Sequence, residues 1–133
     1  MKKAVCSLFL LLLTALFSSF NTGNWAVNYK GIYAIKLDDE HSAVLRFYED
    51  GTVLASTSVN DYMDVMTWFN KENKDMVLKG KYKIKKCNIS FDVSGMTGEQ
   101  SYDGTIEDGK LNITLTDKES KKHATRIYTY YAL

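Results

Sequence analysis

The densest group of side chains with metal-binding chemistry is the run Asp38-Asp39-Glu40-His41. Carboxylate oxygens and an imidazole nitrogen are suitable ligands for divalent cations. Four consecutive residues in one turn do not easily converge on a single ion, so we interpret the run as a solvated turn. His123, the other histidine, lies far along the chain, and no metal-ligand spacing connects the two. The sequence therefore predicts no metal site.

Motifs of the common enzyme classes are also missing from the sequence. It contains no Gly-x-Ser-x-Gly, no phosphate-binding loop, no dinucleotide fingerprint and no Cys-x-x-Cys. The 17 Lys and Arg residues nearly balance the 16 Asp and Glu residues, which argues against a basic surface that tracks phosphates. We therefore expect no enzymatic activity, no cofactor and no nucleic-acid partner.

Aromatic side chains are the remaining candidates for function. Rings with apolar faces and hydroxyl groups suit an amphipathic ligand pocket. The candidate ligand-binding residues are Tyr33, Phe47, Trp68, Tyr82, Tyr102 and Tyr128. Alternatively, the rings fill a core, because the interior of an eight-stranded barrel is just wide enough for side chains or one small ligand. The short strands of this chain favour the filled core.

The strands that would position these rings follow from period-2 alternation of apolar and polar residues, interrupted by turn residues about every ten positions. Asp-Gly pairs in two of the turns favour tight hairpins. Eight strands are predicted, at 30–37, 43–48, 53–58, 77–85, 89–93, 101–106, 111–116 and 124–131. Since all but one of the connections are short, we expect an all-β, eight-stranded antiparallel up-and-down barrel. A two-sheet β-sandwich is the alternative.

The connection between the third and fourth strands breaks the alternation. Between residues 60 and 71, apolar side chains recur at helical spacing, at Tyr62, Val65, Met66 and Phe69. This pattern predicts a short helix that lies over the sheet or closes one end of the barrel. Trp68 distinguishes two functions: it is an interface anchor if it points away from the apolar face, and a ligand contact if it caps the barrel mouth.

The fourth strand carries a charged face. Lys79, Lys81, Lys83 and Lys85 alternate with apolar residues, so all four ammonium groups lie on one side of the strand. We interpret them as a solvated outer face that discourages edge-to-edge aggregation. The alternative is a patch for an anionic glycan or a lipid headgroup.

The first 22 residues have the organisation of a secretory signal peptide. A basic start, Met1-Lys2-Lys3, precedes an apolar run that extends to Phe17 and is followed by small polar residues. We expect a signal peptide at 1–22 and one barrel domain at 23–133, secreted or periplasmic, with no membrane span after cleavage. The alternative is an uncleaved signal that anchors the protein in the membrane. Cleavage would remove Cys6 and leave Cys87, which we expect to be an inert thiol.

Two features of the sequence resemble the lipocalin-like, or calycin, barrels. Those proteins carry Gly-x-Trp on the first strand and an Arg on the last strand that packs over the aromatic ring. Gly31-Ile32-Tyr33 and Arg126 stand at similar places here, with Tyr33 in place of the Trp. The resemblance implies that the first and last strands are neighbours. It also implies a barrel-closing cation–π contact between Arg126 and Tyr33 of about 0.5–2 kcal/mol.

A second likeness supports the same location. The patterns Phe47-x-x-Asp50-Gly51-Thr52-Val53 and Tyr102-x-Gly104-Thr105-Ile106 are similar to small exported bacterial domains of uncharacterised function. The sequence therefore predicts an exported lipocalin-like binding protein of unknown specificity, for which a small apolar molecule in the barrel is the candidate ligand. The alternative is a protein-interaction or inhibitor module that binds an extracytoplasmic protein through the 60–71 helix and the nearby loops.

Overall fold

Eight antiparallel strands form one closed barrel in the computed structural model, which describes residues 25–59, 65 and 67–132. Each strand pairs with the next along the chain, and the last pairs with the first. The strands are β1 (Gly31–Lys36), β2 (His41–Phe47), β3 (Thr52–Val59), β4 (Leu78–Lys85), β5 (Asn88–Gly95), β6 (Gly98–Glu107), β7 (Lys110–Asp117) and β8 (His123–Ala132). The predicted all-β up-and-down barrel is confirmed, and the β-sandwich alternative is wrong. The predicted signal peptide lies outside the described residues.

Alternate residues of every strand build the barrel interior, because successive side chains in a strand point to opposite faces. On β2, Ala43, Leu45 and Phe47 face inward, and all three are at most 2% exposed. The inward set continues around the barrel with Val53, Leu78, Ile89, Phe91, Val93, Tyr102, Ile106, Leu111, Ile113, Leu115 and Tyr128. The lysines of β4 are exposed on the opposite face of that strand.

The joins between neighbouring strands differ in length. The β5–β6 and β6–β7 pairings each run over eight residue pairs. The β3–β4 pairing covers only Thr52–Ala55 of β3, and the β1–β8 pairing covers only Gly31–Ala34 of β1. Strands β3 and β8 therefore each continue beyond their pairing with β4 and β1, at the same end of the barrel.

One end of the barrel is closed by the segment 25–30, which precedes β1. Val27 is 4% exposed and packs into the interior core. The backbone N–H of Asn28 donates to the hydroxyl of Tyr33 at 2.9 Å. The hydroxyl of Tyr82 donates to the carbonyl of Tyr48 at 2.8 Å, at the same end. We call this the closed end, and we call the opposite end, where β1–β2, β3–β4, β5–β6 and β7–β8 are connected, the open end.

The β3–β4 connection lies on the outer face of the barrel. Val65, Phe69 and Val77 are buried there against outward-facing residues of the first three strands. Those strand residues are Ile32, Ala34, Val44 and Leu54. We call these seven residues the outer cluster. Tyr62 and Met66, the other members of the predicted apolar face, lie outside the described residues.

The predicted helix is wrong for the described part of this connection. Two separate turns form there: the carbonyl of Val65 accepts the N–H groups of Trp68 and Phe69 at 3.1 and 2.8 Å, and the carbonyl of Asn70 accepts the N–H of Asn73 at 3.3 Å. The side chain of Asn70 then accepts the N–H of Asn73 at 3.1 Å. An Asn side chain that binds the backbone in this way competes with helix propagation. Val65 and Phe69 are therefore buried on the same side of the connection, as their spacing indicates, but no helix forms in its described part.

The β2–β3 turn contains an ion pair that makes a testable contribution to acid stability. The carboxylate of Asp50 accepts Lys71 Nζ at 2.6 Å and the N–H of Thr52 at 2.9 Å. The hydrogen bond from Lys71, followed by those from Thr52, holds the pKa of Asp50 well below its ordinary value of 3.8. The carboxylate therefore contributes stability that is fully present above about pH 4 and is lost as the pH falls towards the folded-state pKa.

We expect Asp50→Asn to have a lower Tm than the wild type near pH 6, and we expect this difference to shrink as the pH falls below about 4. Thermal unfolding followed by circular dichroism between these pH values measures both quantities. Glu49→Gln is the matched control, since it removes a carboxylate from the same turn. A Tm difference for Asp50→Asn that does not change with pH would contradict this role of the ion pair.

Candidate ligand-binding site

A cleft of about 360 Å³ enters the barrel at the open end, between β3, β4, β6 and β8. Ala55 and Leu78 contribute its apolar side. Gln100, Tyr102 and Arg126 contribute its polar side. The rim carries Ser56, Thr57, Asp75, Met76 and Thr97. The cleft therefore combines a short apolar wall with a group of hydrogen-bonding side chains.

Arg126 reaches the interior because of its position on β8. It lies two residues before buried Tyr128 and therefore on the same face of β8, and it is paired with Ile113 of β7, which is fully buried. Its Nη1 donates to the hydroxyl of Tyr128 at 3.2 Å. No carboxylate of the described residues forms an ion pair with Arg126. The barrel mouth thus holds a half-buried guanidinium that is not ion-paired within the described part of the chain.

Two buried tyrosine hydroxyls lie beside this guanidinium. Burial raises the pKa of Tyr102 and of Tyr128, and this effect outweighs the opposing effect of the Arg126 charge. Both hydroxyls are therefore neutral at physiological pH. Tyr102 donates to Gln100 Oε1 at 2.8 Å, and its ring stacks on Phe91 at 4.6 Å. The polar side of the cleft consequently combines one positive charge with neutral hydrogen-bonding groups, and the carboxylate of Asp75 lies on the rim.

The interior between this cleft and the closed end is occupied by aromatic rings. Phe47 meets the rings of Tyr33, Tyr82 and Phe91 edge-on, with centroids 5.4, 5.1 and 5.7 Å apart. Tyr33, Phe47 and Tyr82, three of the candidate ligand-binding residues, therefore contact one another rather than an open space. Tyr102 lines the cleft, and Tyr128 is hydrogen-bonded to Arg126 in its polar side.

Trp68, the remaining candidate ligand-binding residue, is not in the barrel. It is half-buried against the outer cluster and lies 5.7 Å from the ring of Phe69. It therefore neither caps the barrel mouth nor projects freely from the molecule. The β3–β4 connection carries it across the outer face of the first three strands.

The resemblance implied that Arg126 packs over Tyr33, next to Gly31, and closes the barrel. In the structure, Arg126 and Tyr33 have different partners. The prediction that the first and last strands are neighbours is confirmed, and Tyr33 is paired with Tyr130. The ring of Tyr33 packs against Tyr130 at 5.3 Å, whereas Arg126 lies nearer the open end and contacts Tyr128. A Cβ on Gly31 would lie 2.1 Å from the carbonyl oxygen of Tyr131, so glycine permits the close approach of the two strands here.

Sequence reasoning missed the apolar wall and Gln100, and it gave Arg126 a different role. The alternation of β8 was the available signal, because Arg126 shares the parity of inward-facing Tyr128 and Tyr130. The sequence contains no comparable signal for Ala55 or Leu78, which resemble any other core residue. Their place in the cleft depends on how far each strand extends towards the open end.

The acidic turn and the cysteine have structural partners. Asp38 accepts the N–H groups of Glu40 and His41 at 2.8 Å each, and its carboxylate also contacts the His41 ring at 2.9 Å. Among the described residues, no group of three or more His, Cys, Asp and Glu side chains could hold a metal ion. Cys87 is 1% exposed and is not a free thiol, which corrects the expectation of an inert thiol at this position. Cys6 lies outside the described residues.

The closed antiparallel barrel is compatible with a lipocalin-like fold. The part of the chain that the structure describes contains no helix of sufficient length and apolar character to cross a bilayer. When the chain is compared with known proteins, no family model, no curated protein and no solved structure matches it.

Proposed function

We propose that this protein is an exported, non-enzymatic binding protein that holds a small amphipathic anion at the open end of its barrel. The observation that carries the proposal is Arg126, a half-buried cation with no ion pair among the described residues. A charge removed from water without a counter-ion is unfavourable, so a bound anion would stabilise it. The guanidinium also matches a carboxylate in geometry, since it can donate two parallel hydrogen bonds.

The size of the cleft limits the ligand. Its volume of about 360 Å³ lies at the small end of the range for ligand pockets, about 300–1,000 Å³. Because aromatic rings occupy the interior beyond Tyr102, the ligand lies at the mouth and does not penetrate to the closed end. Its apolar part would contact Ala55 and Leu78, and its anionic group would face Arg126. This arrangement adds an anionic group to the apolar ligand expected from the sequence.

The protein-interaction alternative has less support. Val65 and Phe69 of the β3–β4 connection are fully buried against the barrel, and Trp68 is half-buried beside them. These side chains stabilise the outer face of the first three strands and are not displayed to a partner. Val65, Trp68 and Phe69 therefore favour a structural role over a docking role.

We expect Arg126→Gln to weaken the binding of a small aromatic carboxylate about 10- to 100-fold, because a hydrogen bond to a charged group contributes about 1.5–3 kcal/mol. The probe pair is 3-phenylpropionate and 3-phenylpropan-1-ol, which differ in the carboxylate. Isothermal titration calorimetry of the purified protein measures both affinities. The variant should lose affinity for the carboxylate and retain its affinity for the alcohol.

The other arginine of the chain supplies a matched control. Arg46 lies on the outer face, where Nη1 donates to the carbonyl of Phe69 at 2.9 Å. Arg46→Gln should leave carboxylate affinity unchanged if the protein remains folded. The Tm of Arg126→Gln should fall only slightly, since the substitution removes one hydrogen bond, to Tyr128, and no ion pair with the described residues. Equal losses for the carboxylate and the alcohol, or no carboxylate binding by the wild type, would contradict the proposed site.

Export is the part of the proposal that rests on residues 1–22 alone. Expression of the full chain in a bacterial host, followed by fractionation and intact-mass measurement, tests it. Recovery outside the cytoplasm with a mass that lacks an N-terminal segment supports cleaved export. A full-length mass in the membrane fraction would favour the uncleaved anchor, and a full-length cytoplasmic protein would exclude export.

A further inference from the structure

A second groove, of about 430 Å³, lies on the outer surface of the barrel beside the start of β4. The segment before β4 forms one wall, and the end of β5 with the β5–β6 turn forms the other. The residues that line it are Lys71, Asn73, Lys74, Val77, Lys79, Ser94, Gly95 and Met96. The groove thus has an apolar surface edged by three lysines, and it is distinct from the cleft that contains Arg126.

The three lysines of the groove differ in their partners. Lys71 is held by Asp50 at 2.6 Å and lies 4.4 Å from the centre of the Tyr48 ring. Lys74 and Lys79 are exposed and form no ion pair with any described residue. The groove therefore presents two ammonium groups that are available to an external anion.

Exposed apolar side chains stand next to these two lysines. Met96, on the β5–β6 turn, is 77% exposed, and Met76, just before β4, is 54% exposed. Val59, at the end of β3, is 58% exposed. All three lie at the open end, on neighbouring strands or their connections. Asp75, between Lys74 and Met76, is exposed too, so the two lysines outnumber one carboxylate on this side of the open end. An apolar surface with an excess of basic groups is the combination found in segments that lie at a membrane interface.

We propose that Lys74, Met76, Lys79 and Met96 form a docking patch for the surface of a bilayer that contains anionic lipids. The two lysines would contact the headgroup phosphates, and the two methionines would enter the headgroup layer. The apolar side chains are single tips on separate connections, so they suit a fluid surface better than a flat protein partner. The inference requires neither Arg126 nor export, and the patch shares only Met76 with the lining of the cleft.

Vesicle binding tests the proposal with the full folded protein. Large vesicles of phosphatidylcholine and phosphatidylglycerol in about a 2:1 ratio provide the anionic surface, and vesicles of phosphatidylcholine alone provide the reference. Each lysine near such a surface should change affinity about fivefold, so Lys74→Gln/Lys79→Gln should weaken binding about 25-fold. Met76→Ser/Met96→Ser should weaken binding at high salt as well as at low salt, because its contribution is apolar.

Strand β4 itself offers the matched control. Lys83→Gln/Lys85→Gln removes the same number of charges from the same face, but towards the closed end. This variant should bind the anionic vesicles within about twofold of the wild type if the patch at the open end makes the contact. The exposed position of all four lysines means that each variant should keep the wild-type Tm, which circular dichroism verifies.

Three outcomes would overturn the proposal. Equal losses in the two lysine pairs would mean that the anionic surface attracts the whole lysine face without a docking patch. Equal affinity for the two vesicle types would exclude the headgroup contact. Failure to bind vesicles, together with binding to an acidic peptide such as polyglutamate, would assign the patch to a protein partner.

Discussion

Replacing Phe47 with alanine should lower the free energy of unfolding by about 3–5 kcal/mol. The side chain is fully buried, and its ring contacts those of Tyr33, Tyr82 and Phe91 at centroid distances of 5.1 to 5.7 Å. Edge-on ring pairs contribute about 0.5–1.5 kcal/mol beyond the burial of area. Alanine would leave a cavity that the surrounding strands cannot close, because their spacing is fixed by backbone hydrogen bonds. Typical domains are stable by only about 5–15 kcal/mol, so the variant would be close to unfolding.

Urea unfolding followed by far-ultraviolet circular dichroism measures this loss. Phe47→Leu should lose less than Phe47→Ala, since leucine fills part of the space. Met96→Ala, at a position that is 77% exposed, should change stability by no more than about 0.5 kcal/mol. A loss below about 1.5 kcal/mol for Phe47→Ala would show that the ring is not a central packing element of the interior.

Adding a single methyl group at Gly104 should destabilise the barrel by about 3 kcal/mol or more. A Cβ at this position would lie 2.0 Å from the carbonyl oxygen of Asn112 and 2.8 Å from the Cα of Ile113. Both atoms belong to the backbone of β7, so relief requires the two strands to separate. A Cβ at Gly80 would likewise clash with the carbonyl oxygen of Asp92 on β5. Glycine at such points permits the close strand approach that a small barrel needs.

Thermal and urea unfolding of Gly104→Ala and Gly80→Ala test this role. Gly109→Ala is the matched control, because a Cβ there meets no atom within 4 Å and only its φ of 74° disfavours alanine. The control should lose about 1–2 kcal/mol, the usual penalty for a non-glycine residue in the left-handed region. A smaller loss at Gly104 than at Gly109 would contradict the importance of close strand approach.

Strands such as β4 and β5 were predictable from the sequence because each buries a single face. Inward residues such as Ile89 and Phe91 alternate with exposed ones, so apolar residues recur at every second position. The β3–β4 connection was less predictable. Val65 and Phe69 do share a buried face, but helical spacing does not distinguish a helix from one turn packed on a sheet. The hydrogen bond from the N–H of Asn73 to the side chain of Asn70 favours the turn.

The candidate site was predictable only in part, because it depends on strand register. The alternation of faces along β8 predicts that Arg126 faces inward, but its position along the barrel axis is set by the pairing with Ile113. The sequence alone does not determine this register. The expected contact between Arg126 and Tyr33 therefore came from the resemblance to lipocalin-like barrels. The cleft likewise requires Leu78 and Gln100, from strands that are not neighbours, to reach the same end.

The short joins on either side of the first three strands have a mechanical consequence. The β1–β8 and β3–β4 joins each extend over four residue pairs, and the outer cluster packs β1, β2 and β3 against one another. The β1–β2 pairing also covers four residue pairs, but the outer cluster packs across it, so we expect the barrel to flex as a three-stranded panel, β1–β3, hinged to a five-stranded panel, β4–β8. Thr57 and Arg126 of the cleft lie on opposite panels and away from the β3–β4 hinge, so a small rotation at that hinge would change the width of the mouth. Such a rotation would set how quickly a ligand enters and leaves, while the aromatic rings near the closed end keep the panels together.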